Sequence, residues 1–501
     1  MRSRREGPDV TAGAPLRLSA ATARRLAGQV EPAPFDPREL TTGIVHLGIG
    51  AFHRAHQAVY TQDAMAATGD SGWGVLGATQ RSRGVVDQLV PQQGLYGVLT
   101  KDAAASSLRL VGVHTGVAFP RDETPRVVAA IAAPSTHVVT LTVTEKGYRL
   151  APGGGPDLTD PDLAADLATL GSGDDAPART PLGLLFLGLA ARHRGDAGPL
   201  SVVSCDNLAS NGHVLAALVA RTLDAGGRSD LASWVATSVT FPATMVDRIV
   251  PATTPEHRAE ALALLGLRDE GLVVAEPFGQ WVLEDAFAGP RPVWERAGAT
   301  FTGDVEPFER AKLRILNAVH STLAYRGALR GLTTIADAVA DPDLLAASRA
   351  LVDQDVLPTL EAVPGVDLAQ YRDSVLARMA NPATGHTTVQ VASDGSVKLP
   401  QRLLGTVRDR LAVGAVPHAA SATIAAWIAY VRSVTAGSLV LDGRVVTLDD
   451  PRADVLAAAA AGPVDGLADR FLRLSDVFGD LGGSRELRDA VAAGLRDLGV
   501  R

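Results

Sequence analysis

The run Lys312-Leu-Arg-Ile-Leu-Asn317-Ala-Val-His320 places an amine, an amide and an imidazole within nine residues of a segment that reads as helix. At 100° per residue, Lys312, His320 and the preceding Glu309 fall within about 80° of one another, with Asn317 at the edge of that face. Such a face could support proton transfer, because a lysine becomes a useful base when burial or neighbouring cations lower its pKa. The apolar neighbours Ala311, Leu313, Ile315 and Leu316 favour that shift. They equally suit a lysine that lays its stem on apolar surface and keeps its ammonium in water. His320 has two readings as well, a satisfied core histidine or a catalytic one.

A second polar cluster closes an apolar run in Val202-Val-Ser-Cys205-Asp206-Asn207-Leu208. In a parallel α/β sheet, ligands gather beyond the carboxyl ends of the strands, which would put Asp206 and Asn207 at the crevice. The alternative is a helix N-cap supplied by Asp206 or Asn207, with Asn211-Gly212 as a turn. Cys205 lacks a flanking base and reads as a packing residue. Thr144-Glu-Lys-Gly-Tyr148, Asp247-Arg248 and Glu276-Pro-Phe-Gly-Gln280 are further candidates, although adjacent Asp and Arg ordinarily form a structural ion pair. Asp394-Gly-Ser-Val-Lys398-Leu-Pro-Gln-Arg402 sets two cations near a turn, either in a surface loop or at an anion site.

Elements able to position these groups are legible in outline. Gly43-Ile-Val-His-Leu-Gly48-Ile-Gly50 is an apolar run ending in glycines, ahead of a helical pattern over 53–68. Strand, glycine turn and helix make a dinucleotide-binding unit, in which the first glycine allows the tight turn and the second a close backbone approach to a pyrophosphate. His53 stands where the third glycine is usual. The next apolar run, 73–79, is followed by Gln80-Arg81-Ser-Arg83 with no acid for a ribose hydroxyl, so Arg81 and Arg83 either meet a 2′-phosphate or are solvated. Further strand-like runs at 96–100, 108–113, 137–143 and 200–204 alternate with helical patterns at 124–133, 181–193 and 213–225. The alternation implies a largely parallel sheet covered on both faces. Beyond about residue 290, long Ala/Leu/Arg-rich helical patterns take over. The expected architecture is α/β: a lead-in over 1–40, a Rossmann-type doubly wound domain over 41–295 and a mostly α-helical domain over 296–501.

Composition narrows the partners. A net charge of −8, from 47 basic and 55 acidic residues, argues against a nucleic-acid or membrane-surface footprint. A small polar metabolite is the expected partner. One cysteine excludes an internal disulfide framework or a multi-cysteine zinc site and suits a reducing cytosol. No window is apolar enough to span a bilayer, and the basic start Met1-Arg-Ser-Arg-Arg is followed by no apolar signal region.

Taken in order, seven segments resemble the long-chain mannitol dehydrogenase family of polyol and uronate oxidoreductases. They are His46-Leu-Gly-Ile-Gly-Ala-Phe-His-Arg-Ala-His56, Thr142-Val-Thr-Glu-Lys-Gly-Tyr148, Ser204-Cys-Asp-Asn-Leu208, and the stretches 241–251, 276–285, 312–325 and 394–402. The resemblance implies a metal-independent, NAD-dependent secondary alcohol dehydrogenase, compatible with a monomer, whose active site lies between a Rossmann-type domain and a helical one. NADP stays open. Carried over by motif, Lys312 is the general acid/base, Asn207 and Asn317 are paired amides for the developing alkoxide, and His320 positions the substrate hydroxyl. Glu309 corresponds to a carboxylate passing protons to water, and Asp247 to a substrate-side carboxylate. Gly48, Gly50, Ala51, Phe52 and Arg81 are expected at the cofactor, and Lys398, Arg402 and His386 at the substrate. Lys398-Leu-Pro-Gln-Arg402, Ser393-Asp-Gly-Ser396 and Asn381-Pro-Ala lie closer to the fructuronate-reducing branch than to the mannitol-oxidising one. Thr387, however, stands where that branch has an arginine. Mannitol, arabinitol and phosphorylated polyols are the other substrates in view, and a non-catalytic dinucleotide sensor is the competing class.

Overall fold

A computed structural model describes residues 15–24, 30–79, 82–103, 105–151, 153–172 and 176–500. The chain forms two compact units that meet in sequence at Gly303 and Asp304.

The described residues of the first unit form twelve strands: β1 (Thr42–Leu47), β2 (Gly74–Ala78), β3 (Tyr96–Lys101), β4 (Ser106–Val111), β5 (His114–Ala118), β6 (Val138–Leu141), β7 (Leu200–Ser204), β8 (Val239–Thr240), β9 (Thr244–Asp247), β10 (Val273–Ala275), β11 (Gln280–Glu284) and β12 (Thr300–Thr302). Six of them form one sheet in the order β5-β2-β1-β6-β7-β8, and every neighbouring pair is parallel. The chain builds outward from β1 on one side and from β6 on the other, so the strand order reverses between these two. That reversal opens a crevice beyond their carboxyl ends, where Gly48 follows β1 and Thr142 follows β6.

Side-chain alternation explains how both faces are covered. Val45 and Leu47 of β1 join Val127, Ile131, Leu182 and Leu189 of the helices Pro120–Ala132 and Pro181–Arg194. Ile44 points the other way, to Ala58 and Met65 of the helix Gln57–Thr68 and to Trp281 and Trp294.

One expectation is corrected. The runs near 96 and 108 are not in the parallel sheet: β3 and β4 pair antiparallel, with β10 beside β3, because residues 102–105 are too few for a parallel crossover. The first compact unit runs to Gly303, with β12 paired to β11. Within the lead-in, Leu18, Ala20 and Val30 are buried in a cluster with Leu99, Leu265 and Val274.

The second unit is helical. Its core gathers Val319 and Leu323 of the helix Ala318–Leu329, Ile424, Trp427 and Val431 of His418–Thr435, and Leu487, Val491 and Leu495 of Arg485–Asp497. The last three, four residues apart, make the apolar stripe of an amphipathic helix. Among the described residues, three stretches are π-helical: Lys312–Asn317, Leu351–Val356 and Pro400–Leu404. Among the described residues, no helix is long and apolar enough to cross a membrane.

One consequence of this packing is acid sensitivity. His46, His53 and His114 are buried together, and burial pushes His46 and His114 down to about 3 and His53 well below its usual range. The unfolded chain therefore takes up protons that the folded chain refuses. Their contribution to stability is full above about pH 6.5 and is lost as the pH falls toward 3, by about 1.4 kcal/mol per pH unit for each such group. Buried Asp206 and Asp269, whose pKa values are raised by burial, act in the opposite sense. The urea midpoint should fall between pH 7 and pH 4.5, and His114→Gln should flatten that decline. An unchanged pH slope in the variant would contradict the account.

Candidate active site

At the end of β1 the backbone turns through Gly48 at φ +102°, where an added Cβ would lie 2.2 Å from the Thr142 carbonyl oxygen. Only glycine fits. The Gly48 and Ile49 N–H groups both donate to the Ala78 carbonyl, at 2.8 and 3.1 Å, and the Gly50 N–H donates to the Gly48 carbonyl at 2.6 Å. A Cβ on Gly50 would meet nothing closer than the Gly48 oxygen at 3.7 Å, so the space beside it is open. The helix Ala51–Ala55 starts there with no side-chain cap, and a break at His56 separates it from Gln57–Thr68. The first-turn N–H groups, at Ala51, Phe52 and His53, have no carbonyl one turn back within the helix. An open glycine and uncapped helix N–H groups at a strand-order reversal fit a dinucleotide pyrophosphate.

His53 takes the place of the third glycine. Its ring is buried and lies on that of His46, with centroids 3.4 Å apart and planes 14° apart. Close helix-to-strand packing is thus achieved by two flat rings. Arg81 lies outside the described residues. Arg83 is ion-paired with Asp122 and sits near Asp87.

Beyond β6 and β7, Asp206 is a clamp. Its carboxylate accepts the N–H groups of Val143 (3.1 Å) and Thr144 (2.8 Å) and the Tyr148 hydroxyl (2.8 Å), which also lies 2.6 Å from the Ser204 hydroxyl. Thr144, a β-branched residue, is held at φ +64°. Asn207 follows Asp206 directly and is exposed. Neither caps the next helix, which begins at Asn211. Asn211, readable as a turn residue, is buried instead, donating to the Asp206 and Thr244 carbonyls and accepting from the Thr244 N–H. Asp247 is buried at the end of β9 opposite Gln280 of β11. Arg248 donates to the carbonyls of Glu276 and Ala55, so its guanidinium ties together three segments of backbone.

In the helical unit, Lys312 is only 7% exposed and opens the π-helical stretch Lys312–Asn317. This alters the expected face. Five residues apart in an α-helix means about 140° of separation, whereas an i→i+5 turn sets Lys312 and Asn317 one above the other. The α-helix resumes at Ala318 and places His320 one turn from Asn317. Glu309, half-buried, lies one turn before Lys312 in the helix Glu306–Ala311. Lys312, Asn317, His320 and Glu309 therefore share one face more tightly than regular helix allows.

Cations collect next to this face. Arg402 donates to the Ser321 hydroxyl at 3.0 Å and reaches the Asn317 carbonyl at 3.5 Å. Lys398 donates to the Ser393 hydroxyl at 3.2 Å, with the Asp394 carboxylate 3.9 Å away. The rings of His320 and His386 stack with centroids 5.6 Å apart. Burial, then His386, Arg402, Lys398 and Arg378, hold His320 well below its ordinary pKa. It is neutral, and its Nε2 is shielded without a hydrogen-bond partner. Burial and Arg402 push Lys398 down to about 8. Arg378, buried and unmarked by any motif considered above, is a member that sequence reasoning missed. A buried amine, a neutral imidazole and surrounding cations suit proton transfer on an anionic or hydroxylated ligand. Among the described residues, no group of three or more His, Cys, Asp or Glu is arranged to hold a metal.

Comparison with known proteins agrees with this picture. Residues 42–296 match the mannitol dehydrogenase Rossmann domain and residues 304–498 the mannitol dehydrogenase C-terminal domain. The chain is 42% identical to D-mannonate oxidoreductase of Escherichia coli (strain K12) over 405 residues, 80% of this chain and 82% of that one. It is 37% identical to mannitol 2-dehydrogenase of Cereibacter sphaeroides over 468 residues, 92% of this chain and 94% of that one. The ternary complex of Pseudomonas fluorescens mannitol 2-dehydrogenase with NAD and D-mannitol superposes with a TM-score of 0.85 at 32% identity, covering 97% of both chains. With both of its units matched in this way, the chain belongs to the mannitol dehydrogenase family of oxidoreductases, which are secondary alcohol dehydrogenases.

Proposed function

We propose that this protein interconverts a keto-uronate and its aldonate with NAD, acting as a fructuronate reductase that yields D-mannonate. The observation that carries the substrate class is the collection of Lys398, Arg402 and Arg378 around the His320 imidazole, beside the face bearing Lys312 and Asn317. A uronate brings a carboxylate that such cations can hold with charge-assisted hydrogen bonds. The 42% identity to a D-mannonate oxidoreductase supports the same choice.

The Gly48–Gly50 turn and the N–H groups of Ala51 and Phe52 would hold the nicotinamide cofactor, which when bound would supply the hydride to the keto carbon or take it from the alcohol carbon. The protein handles the proton and the charge. In reduction, the Lys312 ammonium gives its proton to the carbonyl oxygen; in oxidation, the neutral amine takes the proton from the hydroxyl. Asn207 and Asn317 donate from their amides to the oxygen as negative charge develops, without becoming acids themselves. His320, kept neutral, orients the substrate hydroxyl, Asp247 serves the substrate side, and Glu309 passes protons between Lys312 and water. A neutral polyol such as mannitol is the second reading. It is favoured by Thr387, whose hydroxyl accepts the Gln390 N–H at 3.2 Å as a helix cap where an arginine would mark the uronate branch.

Lys312→Ala should lower kcat by roughly 10²- to 10⁴-fold, the usual contribution of a general acid/base, while the fluorescence-measured Kd for NADH stays within two-fold. Near-normal turnover would remove Lys312 from this role. A panel of fructuronate, tagaturonate, fructose, mannitol, mannonate and arabinitol, read with NAD and NADP, should favour the uronate pair and NAD. Preference for neutral polyols would establish the second reading.

Lys398→Gln and Arg402→Gln should each raise KM for fructuronate by about ten-fold or more, with a much smaller effect on fructose. Because Lys398 loses its charge near pH 8, kcat/KM for a uronate should fall above that pH. A neutral substrate should show no such limb in its pH profile.

A further inference from the structure

The Gly48 carbonyl is a junction within the dinucleotide turn. It accepts the Gly50 N–H at 2.6 Å and the Thr142 hydroxyl at 2.8 Å. Thr142 has a single hydroxyl hydrogen, and a carbonyl oxygen can only accept, so that hydrogen is committed. His46 Nε2, 2.9 Å from the same Thr142 oxygen, must then be the donor. Burial keeps this imidazole neutral, which leaves Nδ1 without a proton. The Thr140 hydroxyl, 2.7 Å from Nδ1, must therefore donate to it. Every hydrogen in the chain Thr140, His46, Thr142, Gly48 is assigned, and all point toward the turn.

We propose that Thr142 and His46 are positioning residues for the cofactor, holding the Gly48 carbonyl onto the protein so that its oxygen does not face the pyrophosphate. The N–H groups of Gly48, Ile49 and Gly50 are all spent within the turn. A pyrophosphate is left with the N–H donors of Ala51, Phe52 and His53. An inverted Gly48 peptide would set a carbonyl lone pair against phosphate oxygens, which repel it. Thr142 prevents the inversion. Thr140 acts at one remove: without its hydroxyl, His46 can take the Nδ1–H tautomer, and its bare Nε2 then competes with the Gly48 carbonyl for the Thr142 hydrogen. His53, stacked on His46, keeps the ring in plane for both bonds.

The inference rests on the glycine turn being the NAD site, which binding of NADH to the wild-type chain tests first. No binding there overturns the cofactor reading and this one together. With binding established, Thr142→Val should weaken NADH about ten-fold, with kcat at saturating NADH and KM for the sugar within two-fold of wild type. Thr142→Ser should restore the affinity, because the hydroxyl and not the methyl does the positioning. Thr140→Val should shift NADH affinity in the same direction by a smaller factor, and it provides the test if Thr142→Val does not fold. Normal NADH affinity in a folded Thr142→Val or Thr140→Val chain would overturn the inference. So would a Thr142→Ser chain as weak as Thr142→Val.

Discussion

At Gly48 the chain leaves the middle of a parallel sheet through a space bounded by the Thr142 carbonyl, and a Cβ there would stand 2.2 Å from that oxygen. Much of the first unit follows from this crowding. The left-handed backbone at Gly48 brings the Gly48 and Ile49 N–H groups onto the last carbonyl of β2. The helix is consequently launched at Ala51 from the crevice between β1 and β6. Because the same helix must lie close to β1, its third residue meets His46 face on, and a flat ring satisfies that approach. A bulky aliphatic chain at 53 would push the helix off the sheet.

In the helical unit, a comparable local constraint comes from the π-helical stretch Lys312–Asn317. A π turn costs hydrogen-bond geometry and is rare, which is why such stretches concentrate at functional sites. Here it rotates the following helix relative to the preceding one and brings Asn317 over Lys312. Arg402, itself within the π stretch Pro400–Leu404, reaches the Asn317 carbonyl and the Ser321 hydroxyl. Widened turns leave carbonyls less firmly engaged, and a guanidinium is well suited to hold them. The polar face and the cation cluster are thereby tied to one another within the unit.

The sequence displays whatever depends on periodicity and hides whatever depends on register. β7 is readable as the buried run Leu200–Ser204, and the helices Pro181–Arg194 and His418–Thr435 as long apolar patterns. β5 escapes notice because its middle residues are half-buried and only five residues form it. β3 and β4 read correctly as strands, but nothing in their composition says they belong to a separate sheet. The π insertion is invisible, since one added residue in a 3.6-residue pattern still looks helical. Of the candidate site, Lys312, Asn317, Lys398 and Arg402 are visible by residue type. The Asn211 hydrogen bonds, the Thr140–His46–Thr142 chain and Arg378 are not, because each depends on partners that only folding brings near.

His53 illustrates how one substitution in a fingerprint redistributes its costs. A third glycine would permit close packing at the expense of backbone entropy in the unfolded chain. An imidazole restricts that chain and adds a stacked contact, but it must be kept neutral and hydrogen-bonded in a site closed to water. Its Nε2 meets His114 Nε2 at 3.1 Å, so one ring donates and the other accepts. Both Nδ1 atoms are left buried without partners. One of the two therefore keeps an unpaired N–H and the other an unpaired lone pair, each costing about 1–3 kcal/mol. That polar defect sits on the ring stacked against His46, next to the hydrogen bonds through His46 and Thr142 that hold the Gly48 carbonyl.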